Sequence, residues 1–330
     1  MIGLPVVDIA PLLAMNDAGA VADAAAAIGA ASADYGFFYA EGHGIAEPLF
    51  ERLDARSRDF FALPETEKAA VAMARGGVAW RGWFPLGGEL TSGQPDRKEG
   101  LYLGEELGPS DPRVAAGWPL HGANLWPESV PGLREAVDDY LAAATRAAEA
   151  LMRGMAIALG LSADHFAGGL TRRPTLLFRI FRYPPGGVPG ELGVGEHSDY
   201  GLLTLLAQDE HGGLEVRGAD GGWIAVPPRG RSLVVNIGDM FERLTRERFR
   251  SAPHRVINVS GQERLSWPLF YDPDFAAPVD PLPVGGTARA LPRWDGVDVH
   301  ESGGAYGDYL LAKVGKVFPD LAGKELGRFV

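Results

Sequence analysis

Gly195-Glu196-His197-Ser198-Asp199-Tyr200-Gly201-Leu202-Leu203-Thr204-Leu205-Leu206 is the stretch on which the reading of this chain turns. His197 and Asp199 are two residues apart, a spacing that points both side chains the same way on an extended strand and spreads them by about 200° on a helix. The apolar run Leu202-Leu203-Thr204-Leu205-Leu206 that follows favours the strand. A third residue of ligand type, His254, stands in Ser251-Ala252-Pro253-His254-Arg255-Val256 and opens its own apolar run, Arg255-Val256-Ile257-Asn258-Val259, so it would come in from a neighbouring part of a sheet. Two imidazoles and one carboxylate on one face of a metal, with other positions open, are the donor set of a non-haem Fe(II) centre that binds O2, although zinc accepts the same ligands. A His-x-Asp alone is most often a pair of solvated surface residues, and the third ligand is what lifts this one above that reading.

Outward from this stretch the chain is a series of short β-type runs separated by Gly and Pro: Thr175 to Tyr183, Gly201 to Gln208, Leu214 to Arg217, Trp223 to Val226, Ser232 to Ile237, His254 to Val259 and Arg264 to Tyr271. Such spacing predicts an all-β barrel or jelly roll. Toward the N-terminus, the alanine-rich segment Val21 to Ala33 predicts a helix and Tyr35 to Ala40 a strand that stops at Gly42-His43-Gly44. A helix is expected from Glu47 to Phe61 and a longer one from Pro131 to Leu159, whose apolar residues recur at steps of three and four. Residues 76 to 131 are dense in Gly, Pro and Trp and read as long loops. The expected fold is mainly β with a helical jacket, in one domain.

Composition narrows the partners. The 330 residues carry a net charge of −12, with 46% hydrophobic and 22% charged residues, so the chain reads as an ordinary globular protein repelled by nucleic acid and by anionic membranes. The basic run Arg243-Leu244-Thr245-Arg246-Glu247-Arg248-Phe249-Arg250 is interrupted by an acid and reads as a solvated loop or helix end. There is no cysteine, which excludes disulfides, zinc-thiolate sites and a cysteine nucleophile. With neither a signal-peptide pattern nor an apolar run near the ~20 residues of a membrane span, a cytoplasmic location is expected. Oligomeric state is not legible.

Several blocks together resemble the isopenicillin N synthase-like family of Fe(II)- and 2-oxoglutarate-dependent oxygenases. They are Pro5-Val6-Val7-Asp8-Ile9, Tyr35-Gly36-Phe37-Phe38-Tyr39, Arg182-Tyr183-Pro184-Pro185, His197-Ser198-Asp199-Tyr200-Gly201, Gly212-Gly213-Leu214-Glu215-Val216, Asn236-Ile237-Gly238-Asp239, His254-Arg255-Val256 and Arg264-Leu265-Ser266. The resemblance implies a double-stranded β-helix (jelly roll, cupin-like) core over residues 173–275, an N-terminal helical and loop region over 1–130, and a C-terminal extension over 276–330. It implies that His197, Asp199 and His254 hold Fe(II), and that Arg264 and Ser266, helped by Tyr183, hold the distal carboxylate of 2-oxoglutarate. An arginine fork and a hydroxyl suit a carboxylate, although an internal salt bridge is the plain alternative for Arg264. Phe181 departs from the plant branch, where an asparagine is common.

Residues 87–96 and the segment around Trp118 and Trp126 look similar to the bacterial branch that includes the ethylene-forming, arginine-oxidising enzyme. By that likeness Glu89, Thr91 and Tyr200 would line the substrate pocket, with Arg81, Trp83 and Phe84 near its mouth, and Glu89 could pair with a cationic substrate or lie on the surface. His43, His121, His165, His211 and His300 have no ligand-like neighbours and read as structural. The activity implied is O2-dependent oxidation of an unactivated C–H bond of a small molecule, an amino acid, peptide or secondary metabolite, with release of succinate and CO2. The rivals are a same-fold iron oxidase that uses no 2-oxoglutarate and a non-catalytic binding protein.

Overall fold

The computed structural model describes residues 3–186, 191–258, 260–284 and 303–319. The N-terminal part runs through strand β1 (Val6–Asp8), helices α1 (Ala10–Ala14) and α2 (Ala18–Asp34), strand β2 (Phe37–Glu41) and helices α3 (Glu47–Phe61) and α4 (Glu65–Lys68). Asp17 starts α2: its carboxylate accepts from the backbone N–H groups of Gly19 and Ala20 at 2.9 and 3.1 Å, and the alanines that follow favour the helix.

Residues 76–131, expected as long loops, contain β3 (Gly82–Phe84), β4 (Leu90–Thr91), β5 (Gln94–Pro95), β6 (Glu99–Gly104) and the short helix α5 (Pro112–Ala115). β6 leaves no alternating pattern in the sequence because all of its residues are buried. Its one charge, Glu99, is neutralised inside the protein by Lys68 at 2.8 Å and Arg182 at 2.7 Å. Helix α6 (Leu133–Ala158) then packs on α1 and α2. A Cβ on its Gly154 would lie 2.7 Å from Leu12 and 2.8 Å from Ile28, so the glycine is what lets the helices approach.

The core follows as β7 (Thr175–Tyr183), β8 (Val194–His197), β9 (Leu203–Gln208), β10 (Leu214–Arg217), β11 (Trp223–Ala225), β12 (Leu233–Ile237), helix α7 (Asp239–Leu244), β13 (His254–Val256) and β14 (Arg264–Asp272). The chain passes back and forth between two sheets. One has the order β1-β2-β12-β9-β14-β7-β6-β3 and the other β11-β10-β13-β8. Strands β7, β14, β9 and β12 thus face β8, β13, β10 and β11 in two interleaved antiparallel fours, the expected double-stranded β-helix. Along β7 the alternation divides the residues: Leu177, Arg179, Phe181 and Tyr183 line the cavity between the sheets, while Phe178 packs outward on Tyr140 of α6.

Two expectations are corrected. The seven expected runs omitted β8, which is short and glycine-bearing, and the run expected to reach Val259 ends as a strand at Val256, Val259 itself lying outside the described residues. The basic run around Arg243 is not simply solvated, because Arg243 is buried and its Nε donates to the Val279 carbonyl at 3.0 Å. Of the C-terminal extension, residues 276–284 and 303–319 are described; the latter form helix α8 (Tyr306–Val317), which lays Leu310, Val314, Val317 and the following Phe318 over the cavity. No helix among the described residues is long and apolar enough to cross a membrane.

Candidate active site

Antiparallel pairing of β8 and β13 makes His197 and His254 register partners, with ring centroids 4.2 Å apart. Asp199 lies two residues beyond the end of β8 rather than on the strand that the spacing predicts. Its turn is braced by the start of α7, whose free N–H groups find acceptors there: Asp239 N donates to the Asp199 carbonyl at 2.7 Å and Gly238 N to that of Leu202 at 2.9 Å. Gly201 is required by the packing, since a Cβ would fall 1.5 Å from Asp272 Oδ1. The outcome is that Nε2 of each histidine sits 3.8 Å from Asp199 Oδ1, and the three ligand atoms lie within 4.8 Å of one another.

Neighbouring groups prepare these atoms for a metal. His197 Nδ1 is 2.8 Å from the Gly195 carbonyl and His254 Nδ1 is 3.2 Å from that of Ala252; an N–H donated there leaves the Nε2 lone pair facing the centre. Burial, together with the adjacent His197, pushes His254 down to about 4, so it is neutral and able to ligate at physiological pH. Asp199 Oδ2 accepts from Thr204 Oγ1 and from Asn236 Nδ2 at 2.7 Å, which leaves Oδ1 for a metal. Burial disfavours the Asp199 carboxylate, but the two imidazoles and these hydrogen bonds outweigh it and lower its pKa. Two nitrogens and one oxygen around an otherwise open centre fit Fe(II).

The same cavity reaches Arg264, Ser266 and Tyr183. Arg264 pairs in register with Tyr183 across β14 and β7, and its guanidinium lies 4.7 Å over that ring. Fully buried, it donates from Nε to the His211 carbonyl at 3.0 Å and from Nη2 to Gln208 Oε1 at 3.2 Å, while Nη1 is buried with no hydrogen-bond partner. Among the described residues no carboxylate forms an ion pair with Arg264, which removes the internal salt-bridge alternative. Ser266 Oγ is 3.5 Å from the Tyr183 hydroxyl. A guanidinium nitrogen without an acceptor, beside two hydroxyls, fits the carboxylate of a bound acid.

Glu89, Thr91 and Tyr200 line this cavity; Glu89 is buried, not on the surface. Arg81, Trp83 and Phe84 are not part of its lining. Arg81 is buried behind it, donating to the carbonyls of Leu103 at 2.7 Å and Leu120 at 3.0 Å; Trp83 donates to Glu99 at 2.8 Å; Phe84 packs one layer back against Tyr102, Phe181 and Phe318. Two cavity cations escaped the sequence reading. Lys98, in Asp96-Arg97-Lys98-Glu99, has the look of a solvated turn, whereas Arg179 is the inward residue of an alternation that extends back from Tyr183 and could have been found from it. Of the remaining histidines, His43 is anchored to the Arg231 carbonyl at 2.9 Å, His121 to that of Pro119 at 2.8 Å, and neither His165 nor His211 lines the cavity, His211 touching Arg264 only through its backbone carbonyl; His300 is outside the described residues.

Known proteins are similar to this chain along most of its length. Residues 4–129 match the family described as non-haem dioxygenase in morphine synthesis N-terminal, and residues 174–273 match the 2OG-Fe(II) oxygenase superfamily. A probable iron/ascorbate oxidoreductase of Dictyostelium discoideum is 44% identical over 318 residues, 87% of each chain. A homoarginine-6-hydroxylase of Glycine max is 34% identical over 96% of this chain and 98% of its own. Among solved structures, a 2OG-Fe(II) oxygenase family protein from Caulobacter crescentus superposes with a TM-score of 0.79 at 27% identity, over 94% of this chain and 98% of that one. With the triad, the interleaved sheets and matches at both ends of the chain in agreement, this protein belongs to the isopenicillin N synthase-like family of Fe(II)- and 2-oxoglutarate-dependent oxygenases.

Proposed function

We propose that this dioxygenase oxidises an unactivated C–H bond of a small molecule, with His197, Asp199 and His254 holding Fe(II) and with Arg264, Ser266 and Tyr183 holding the distal carboxylate of 2-oxoglutarate. The observation that carries the reading is the buried Arg264 Nη1 without an acceptor, in one cavity with the triad. When bound, Fe(II) with 2-oxoglutarate and O2 supplies the oxidising chemistry, yielding succinate and CO2 beside the oxidised product.

The chain supplies the rest. The backbone carbonyls of Gly195 and Ala252 fix both imidazoles, Asn236 and Thr204 hold the Asp199 carboxylate, and the Arg264 fork sets the direction in which a keto acid lies. Glu89, Thr91 and Tyr200 form a wall of the substrate compartment, and α8 covers it against water. We assign the whole chain to one oxygenase domain, because a continuous cluster of buried apolar residues runs from Leu4 to Phe318. Hydroxylation is the default outcome, and a cytoplasmic location accords with the sequence.

Iron-dependent, substrate-dependent release of succinate from 2-oxoglutarate is the test. Product formation without succinate would instead assign the chain to oxidases of the same fold, in which Arg264 would hold a carboxylate of the substrate. Failure to bind one Fe(II) per chain would point to a binding protein without turnover.

A further inference from the structure

The strand that carries His197 is held from outside by the loop that walls the substrate compartment. Strand β8 is the outermost of its sheet and, among the described strands, pairs in register only with β13; an open edge leaves backbone groups in need of partners. The β4–β5 hairpin and the residues after it supply them. Asp96 Oδ1 accepts from the Gly195 N–H at 3.0 Å, Ser92 Oγ donates to the Glu196 carbonyl at 2.6 Å, and the Arg97 N–H donates to the Leu192 carbonyl at 3.1 Å. The contact is close, since a Cβ on Gly195 would lie 3.1 Å from the Thr91 carbonyl oxygen.

Gly195 is where the two sides meet. Asp96 holds its N–H, and its carbonyl is the acceptor that His197 Nδ1 faces at 2.8 Å. Asp96 is itself fixed: it is buried, and its Oδ2 accepts from Thr91 Oγ1 and from the Lys98 ammonium, which reaches on to Glu89 at 2.8 Å. Thr91, Lys98 and Glu89 all line the cavity. His254 is held differently. Its strand lies between β8 and β10, Phe37 packs edge-on against its ring at 5.1 Å, and its side chain is 8% exposed where that of His197 is 24%. The more exposed ligand therefore depends on one carbonyl, and that carbonyl on Asp96.

We propose that Asp96 is a positioning residue of the iron centre: through its bond to Gly195 it fixes the carbonyl that orients His197, and through Lys98 it ties that ligand to the substrate wall. This rests on the Fe(II) reading and deepens it. The orientations of the two histidines are then set separately, so that loss of Asp96 loosens His197 and leaves His254 in place. Ser92 braces the same strand one residue further on, at the Glu196 carbonyl, which His197 does not use. It therefore separates positioning of the ligand from plain support of β8.

The test uses the full chain, stripped of metal and titrated anaerobically with Fe(II) for affinity, then loaded with Co(II) for proton NMR. Paramagnetic Co(II) shifts the Nδ1–H signals of both ligating imidazoles clear of the other protein signals, and each proton exchanges with solvent at a rate set by its hydrogen bond. Wild type should show two such signals. In Asp96→Ala one of them should exchange about 10-fold faster or more while the other is unchanged, and Fe(II) affinity should fall by about 10-fold. Asp96→Asn keeps an oxygen for the Gly195 N–H and should return both readouts to within about 3-fold of wild type, whereas Ser92→Ala should leave both within about 2-fold. If Asp96→Ala does not fold, the double variant Asp96→Leu with Lys98→Met replaces the buried pair by apolar groups and still removes the acceptor, with the same result expected. Two unchanged signals, two signals accelerated together, or a Ser92→Ala protein that matches Asp96→Ala each overturns the proposal. So does an Asp96→Asn protein no better than Asp96→Ala, which would assign the effect to charge beside Lys98. Wild type that binds neither ion overturns the underlying Fe(II) reading, and that first readout tells the two failures apart.

Discussion

His197 and His254 are cross-strand partners in one antiparallel ladder, so the register of β8 against β13 places two of the three candidate iron ligands. A slip of one residue would turn one imidazole to the opposite face, and the short ladder is held against this by β10, which pairs with β13 on its other side. The third ligand depends on tertiary contacts instead: Asp199 is aimed by Asn236 and Thr204, which are themselves register partners on β12 and β9.

Removing these two donors should therefore weaken the metal site without touching a ligand. Asn236→Ala and Thr204→Val are each expected to lower Fe(II) affinity by about 10–100-fold, since a carboxylate that loses its orienting donors is free to rotate. A metal titration on folded protein checks this. Unchanged affinity in both variants would mean that the loop backbone alone positions Asp199.

Arg264→Leu should raise the dissociation constant for 2-oxoglutarate by about 30-fold or more, the scale of removing one partner from a buried charge pair. Ser266→Ala, which deletes one hydroxyl, should cost only about 5–10-fold. Fe(II) binding measured without 2-oxoglutarate should be the same in both variants and wild type. A parallel loss of iron would show that Arg264 supports the barrel rather than the cosubstrate.

The metal triad and the barrel are legible because both are written locally: His197 and Asp199 are close in sequence, and most inner strands carry an apolar or alternating signature. Strand β8 is not, since Val194-Gly195-Glu196-His197 has neither, and its strand character comes from pairing with β13. The substrate wall is half legible. Glu89 can be picked from the loop, but its charge is spent on Lys98, and no single-sequence signal says that a lysine flanked by Arg97 and Glu99 is buried. Arg81, Trp83 and Phe84 fall behind the wall because β3 is a fully buried edge strand, a fact of packing rather than of pattern. Charge pairing in the interior is set by residues distant in sequence, and that is where reading from sequence stops.

Asp272 gives a pH dependence of known sign. Burial, with Tyr306 as its hydrogen-bond partner opposing, pushes this carboxyl up to about 7, well above its ordinary value of 3.8. The folded protein thus binds more protons here than the unfolded chain between those pH values, so the contribution of Asp272 to stability is present below about pH 4 and is lost as pH rises through about 7. Asp272→Asn keeps an acceptor for Tyr306 and cannot ionise. The stability of wild type minus that of this variant, from denaturant melts at several pH values, should fall as pH rises across this window. A difference that stays flat or rises would show that Asp272 is ionised throughout.

Two tyrosines tie α8 over the cavity: Tyr306 donates to Asp272 Oδ2 at 2.6 Å and Tyr309 to Asp239 Oδ2 at 2.9 Å, while Leu310, Val314 and Phe318 face inward. Both acceptors are buried carboxyls on the barrel side; losing the Tyr306 hydroxyl takes a hydrogen bond from Asp272 and costs about 1–3 kcal/mol, while Asp239 keeps Ser251 at 2.9 Å and Lys313 at 3.6 Å, so losing the Tyr309 hydroxyl costs less. In the double variant Tyr306→Phe with Tyr309→Phe, α8 should dock less tightly and admit water to a site that depends on its exclusion. The expected signature is uncoupling: more succinate per oxidised product than in wild type, with Fe(II) and 2-oxoglutarate affinities preserved, because neither set of binding residues lies on α8. A variant with a lower melting temperature but an unchanged ratio of succinate to product would limit α8 to a structural role.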